Sequence, residues 1–278
     1  MSFATLLVYV ENDGDLNGKV RLATGLADRF QSHILGLAAW MPRPPFVVEG
    51  VVVDPEPTEN ETREMKATLE KRGERFKAAA EAGRRQVGRQ VEWRSALEFP
   101  TEFVARQSRS ADLIVIGRDR LPYDPYRFTD AGALILRAGR PVLMVPPGVQ
   151  SLAAKRVVIA WKDAREARRA VQDALPFLHL ANEVIILEAC EAGSEQDAQQ
   201  GIKDVASYLA RHRIAVVAER VRPVDGTASN TLLRLVEEQS VDLIVAGGYG
   251  HSRLGEWVFG GMTQELLAKS PVCCLFSH

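Results

Sequence analysis

The stretch Ala111-Asp-Leu-Ile-Val-Ile-Gly117 recurs as Val241-Asp-Leu-Ile-Val-Ala-Gly247, and Arg140-Pro-Val-Leu-Met-Val-Pro146 recurs as Ser270-Pro-Val-Cys-Cys-Leu-Phe276. Both recurrences sit at a single offset of 130 residues, with no gap between them. Solenoid repeats have periods of roughly 20–50 residues, so a period this long describes two copies of a whole domain. A chain of 278 residues accommodates that reading, since domains run to roughly 100–200 residues each.

Working outward, each half reads as short apolar strands alternating with longer helical patterns, the signature of a parallel sheet with helical crossovers. Strands are predicted in the first half at Thr5–Val10, His33–Ala39, Gln90–Ser95, Ala111–Gly117 and Pro141–Pro146. Its helices fall near Lys19–Gln31, Glu59–Gly83, Pro100–Arg109 and Thr129–Ala138. The second half repeats the scheme with strands at Lys155–Trp161, Glu183–Ala189, Ala215–Val221, Val241–Gly247 and Pro271–Phe276. Helical spacing predicts Ala164–Leu180, Gly201–His212 and Thr227–Gln239 between them, with a further helix starting near Gly260. Pro146-Pro-Gly148 and the small residues after it are turn composition, which sets the boundary near Gln150: one domain over 1–150, the other over 151–278. Met41–Pro57 has no counterpart as long in the second half. Its prolines rule out a helix, leaving an ordered loop packed on its own domain, with a lid or partner surface as the alternative.

Composition excludes several classes. Net charge is −1, from 35 basic and 36 acidic residues, so no global field draws nucleic acid or an anionic membrane. No apolar run approaches the ~18–20 residues of a membrane helix. The opening Met1–Val10 lacks a basic n-region, so no signal peptide is expected. Cys190, Cys273 and Cys274 are odd in number and lack CxxC spacing, which argues against a disulfide framework or a metal cluster. The expected compartment is the cytoplasm.

The chemistry concentrates after the fourth strand of the second half, in Gly247-Gly-Tyr-Gly250-His-Ser-Arg253-Leu-Gly-Glu-Trp-Val-Phe-Gly260-Gly-Met-Thr263. Glycine tolerates φ > 0 and has no Cβ, so such a loop can aim several backbone N–H groups at one point. A helix beginning near Gly260 adds free N–H groups and the positive end of its dipole. Arg253 carries a guanidinium matched to phosphate geometry, though a solvated loop arginine is an equal reading. The dinucleotide fingerprint is absent because position 253 is Arg rather than Gly, and no Gly-Lys-Ser/Thr marks a Walker loop. Ser252, His251 and Glu256 make a Ser-His-acid triad conceivable, but adjacent residues rarely meet in the required geometry.

The Gly-x2-Gly-x9-Gly spacing after the fourth strand, ahead of a short helix and a Pro-Val strand, resembles the universal stress protein family, and the duplication resembles its tandem members. The resemblance implies an α/β fold of two doubly wound, five-stranded parallel sheets in the order 3-2-1-4-5, adenine-nucleotide alpha-hydrolase-like. It further implies a stress-responsive binding protein, not an enzyme, that takes ATP, AMP or another adenine nucleotide at the ends of strands 1 and 4. That place agrees with the rule that ligands sit where strand order reverses. Carried onto this sequence, the site comprises Gly247, Gly250, Arg253, Gly260, Gly261, Met262 and Thr263, with Lys162 at the end of the first strand and Ala189 at the end of the second.

Two positions depart from the family pattern. Gly261 stands where nucleotide-binding members have Ser or Thr, and Lys162 stands where they have an aspartate. Lysine can only donate hydrogen bonds. In the first half the offset puts Arg120, Asp130 and Ala131 opposite Gly250, Gly260 and Gly261. A carboxylate at a helix start suits the dipole but repels phosphate, so this half is expected to bind no nucleotide. A nucleotide-free interaction scaffold and a slow ATPase remain open as alternative functions. The two halves are expected to form an intrachain pseudo-dimer about an approximate twofold axis, with Pro141–Pro146 and Pro271–Phe276 pairing; further pairing into a homodimer stays open.

Overall fold

In the first half the strands and helices follow one another as β1 (Thr5–Tyr9), α1 (Leu16–Phe30), β2 (His33–Ala39), β3 (Phe46–Val48), β4 (Val51–Asp54), α2 (Glu59–Gly83), β5 (Val91–Ala96), α3 (Pro100–Gln107), β6 (Leu113–Gly117), α4 (Ala131–Arg137) and β7 (Val142–Val145). The second half continues with β8 (Arg156–Ala160), α5 (Arg165–Leu178), β9 (Glu183–Cys190), α6 (Glu195–Arg211), β10 (Val216–Pro223), α7 (Ala228–Glu238), β11 (Leu243–Gly247), α8 (Gly261–Lys269) and β12 (Cys273–Ser277). This computed structural model describes residues 2–11, 16–43, 46–48, 51–54, 58–83, 90–118, 123–190, 193–223, 227–249 and 261–278.

Among the described residues, ten strands form one sheet in the order β10-β9-β8-β11-β12-β7-β6-β1-β2-β5. Read from its own first strand, each half of this sheet has the order 3-2-1-4-5, with every pair of the ten-stranded sheet inside a half parallel. Helical crossovers cover both faces, which is why the central strands are apolar throughout rather than alternating. Leu6 and Val8 point into one core layer, Leu7 and Tyr9 into the other, and all four are fully buried. Each layer draws on both halves: Val8 shares one with Val157 and Val171, and Ile114 shares the other with Ile244 and Phe276.

The halves join through β7 and β12, which pair antiparallel with Cys274 opposite Met144, Leu275 opposite Leu143 and Phe276 opposite Val142. Antiparallel pairing of equivalent strands is what a twofold relation requires. Behind the seam Phe177 of α5 packs on Phe3 and Phe30, with ring centroids 5.4 and 5.2 Å apart. Within each half one aspartate fixes the central strands. Asp112 accepts from the amides of Ala4 and Thr5 at 2.8 and 2.9 Å. Its counterpart Asp242 accepts from those of Lys155 and Arg156, both at 3.0 Å.

Two elements differ from the sequence expectation. The helix predicted from Gly201 starts six residues earlier, at Glu195. Glu195 and Asp197 favour that first turn through the helix dipole, but the apolar stripe begins only at Ala198. The segment 41–57 contains an antiparallel hairpin, β3 with β4, in which Val47 pairs with Val52 and Val48 with Val51. No helix among the described residues is long and apolar enough to cross a membrane.

Candidate functional site

In the second half the strand order reverses between β8 and β11, and a cavity of about 210 Å3 opens there at the C-terminal ends of the strands. Lys162 and Trp161 follow β8, Ala189 belongs to β9, and Gly247 ends β11, while Gly261, Met262 and Thr263 open α8; all of them line this cavity. Ala164, Glu166 and Ala167 contribute the start of α5. The sequence therefore brings Lys162, Ala189, Gly247, Gly261, Met262 and Thr263 to one place. Gly250, Arg253 and Gly260, named from the sequence as site residues, lie outside the described residues, as does Arg120.

The cavity is built around helix starts. The N-cap of α5 is Ala164, extended at φ −143° and ψ 156°, and no side chain caps this helix. The first-turn N–H groups of such a helix are left for solvent or a ligand. Gly247 is required by packing: a Cβ there would lie 2.6 Å from the Ala167 amide nitrogen and 2.7 Å from the Glu166 carbonyl carbon. Glycine lets the end of β11 rest on the first turn of α5.

Beyond Gly247 the chain is anchored at several points. The Gly248 amide donates to the Ser277 carbonyl at 2.8 Å, and the Gly248 carbonyl lies 3.0 Å from His278 Nδ1. Tyr249 takes the left-handed conformation at φ 58°, uncommon for a residue with a side chain. Its amide donates to Thr263 Oγ1 at 3.3 Å, so this buried hydroxyl holds the root of the glycine loop. The Tyr249 ring reaches α4 of the other half, its hydroxyl over Gly132.

Two charged side chains mark the cavity. Lys162 is exposed at its mouth, whereas Glu166, which sequence reasoning missed, is only 8% exposed. Glu166 Oε1 pairs with Arg165 at 3.2 Å. Nearby on β9, burial pushes the Glu188 carboxyl above its usual range; the charge of Asp163 adds to this and that of Lys162 opposes it.

The corresponding point in the first half is closed by the protein's own side chains. Glu11, just after β1, accepts from the Gly117 amide at 3.2 Å and pairs with Lys19 of α1. Lys19 also donates to the Tyr9 carbonyl at 3.1 Å, and Arg72 donates to the Glu11 carbonyl. Asp130 caps α4, accepting from the Ala133 amide at 2.9 Å. Carboxylates thus sit at both places where the fold would receive an anion.

The cysteines are buried in packing positions. Burial pushes the Cys274 thiol up to about 12 and raises that of Cys273 as well, so both are protonated at neutral pH. Among the described residues no group of His, Cys, Asp and Glu side chains could hold a metal ion.

Residues 153–277 match the Universal stress protein family. Similarity of fold covers both halves. A universal stress protein from Archaeoglobus fulgidus DSM 4304 superposes with a TM-score of 0.67 at 17% identity, covering 98% of this chain and 95% of that one. A functionally unknown protein from Pseudomonas aeruginosa PAO1 gives 0.62 at 17% identity, covering 99% and 92%. At such identity the likeness establishes the fold alone. No curated protein matches the sequence.

Proposed function

We propose that this chain is a stress-response binding protein, not an enzyme, that takes an adenine nucleotide such as ATP or AMP in the second half only. The observation that carries this reading is the cavity at the β8–β11 reversal, where the uncapped start of α5 and the start of α8 border one space. Helix N-termini attract anions, and α/β sheets bind ligands at such reversals. On this reading Lys162, Ala189, Gly247, Gly250, Arg253, Gly260, Gly261, Met262 and Thr263 contribute to the site. The unit 1–150 is a non-binding partner with a degenerate loop, and the unit 151–278 is the receptor, acting in the cytoplasm.

Calorimetric titration of the purified chain with ATP, ADP and AMP tests this. One nucleotide per chain, lost on replacing Gly261 with a bulky residue and retained on changing Arg120, is the expected result. Two nucleotides per chain would refute the assignment of the first half. A chain that binds none is the nucleotide-free scaffold, a reading that Lys162 and Gly261 favour because both depart from the nucleotide-binding pattern.

A further inference from the structure

We propose that Glu166 is the specificity-determining acceptor of the second-half cavity, reading the ribose hydroxyls of a ribonucleotide; this rests on the nucleotide reading above. The family pattern supplies such an acceptor from the end of the first strand, where this chain has Lys162, a donor only. An acidic residue nonetheless lines the cavity. Glu166 lines it from the first turn of α5 and is 8% exposed. It is held beside Gly247 by a backbone approach that leaves no room for a Cβ.

A carboxylate is rarely buried this deeply unless something stabilises it. The dipole at the start of α5 contributes, and Arg165 pairs with one oxygen. The Arg165 side chain is 74% exposed, however, so solvent screens much of that pair. A carboxylate accepts through two oxygens with about four lone-pair sites, so Glu166 retains capacity for a donor arriving in the cavity.

The first half shows an acid and a base near the corresponding point that satisfy each other. There the residue after the first strand is acidic, Glu11, and its partner on the following helix is basic, Lys19; the two pair directly and close the site. In the second half a base, Lys162, follows the strand, and the acid on the helix is Glu166, at the second position of α5 where Lys19 is at the fourth of α1. Among the described residues the ion pair of Glu166 is with Arg165, and Lys162 and Glu166 both line the cavity. A ligand bridging this arrangement needs donors for Glu166 and an anion for Lys162 and the start of α8. A nucleoside phosphate with free ribose hydroxyls has both, whereas pyrophosphate has only the anion.

The test titrates the full chain with ATP, 2′,3′-dideoxy-ATP and pyrophosphate. Wild type should prefer ATP over the dideoxy analogue by about ten- to a hundredfold, the value of a charged hydrogen bond. Glu166→Gln should reduce that ratio and Glu166→Ala should bring it near one, with pyrophosphate bound as well as before or better. Glu166→Gln keeps shape and helix, so it reports on the ratio if the alanine variant fails to fold. Wild-type ATP binding with a ratio unchanged by either substitution would overturn the role of Glu166 and leave the nucleotide reading standing. A wild-type chain that binds no ATP overturns both.

Discussion

At position 247 a methyl group has nowhere to go. The atoms it would strike, the Ala167 amide nitrogen at 2.6 Å and the Glu166 carbonyl carbon at 2.7 Å, are backbone. They cannot turn aside as a side-chain tip would. Gly247→Ala must therefore push α5 from β11, which costs about 1–3 kcal/mol by analogy with overpacked cores. It should also deform the cavity that α5 borders. Urea denaturation of the variant should show a lower midpoint with an unchanged slope, and a wild-type midpoint would mean that the approach is looser than described. The importance of Gly247 was legible in the sequence as part of a glycine spacing, but the spacing pointed to a phosphate and not to the helix lying against it. Glu166 was not legible at all. Arg165-Glu166 at a helix start has the composition of a solvated first turn, and only the fold shows that Glu166 is buried and lines the cavity.

At the scale of elements, sequence periodicity located the strands and helices because both faces of the ten-stranded sheet are covered and the helices present apolar stripes to it. Helix starts were harder to read, as α6 shows, because a first turn is often polar. Contacts between elements of different halves leave no periodic trace. The clearest is the seat of the second-half loop on α4 of the first half. A Cβ on Gly248 would meet Ile135 Cγ2 at 2.5 Å, and the Tyr249 hydroxyl lies over Gly132. A side chain at position 132 would collide with that hydroxyl. Because the Tyr249 amide is tied to Thr263 Oγ1, displacing the ring strains the start of α8, which lines the cavity. Gly132→Ala is thus expected to weaken ligand binding in the opposite half several-fold, although position 132 lies outside the cavity. Titration of the variant with ATP checks this. An unaltered affinity would show that the ring yields without moving α8.

At the scale of the whole molecule, the 130-residue repeat carries a further consequence. Met144 and Cys274 are equivalent positions in the two copies, and they face each other across the β7–β12 seam. The pseudo-twofold axis therefore passes through that pair. Separating the halves would bare β12, whose Cys274, Leu275 and Phe276 are fully buried in the intact chain. An exposed, apolar edge strand seeks a partner, and the β12 of a second copy is the nearest substitute for β7. A chain of residues 151–278 alone should then form a dimer in which Cys274 of one copy lies opposite Cys274 of the other. Sedimentation would show twice the expected mass. Mild oxidation should link the copies through Cys274, slowly because burial keeps that thiol protonated at neutral pH, and Cys274→Ser should remove the link while leaving the dimer. A charged residue in place of Leu275, which lies beside the axis, should convert the dimer to monomer or aggregate. A well-folded monomer at high concentration would show instead that the second half covers its own edge, and that the seam with β7 is not what keeps β12 from solvent.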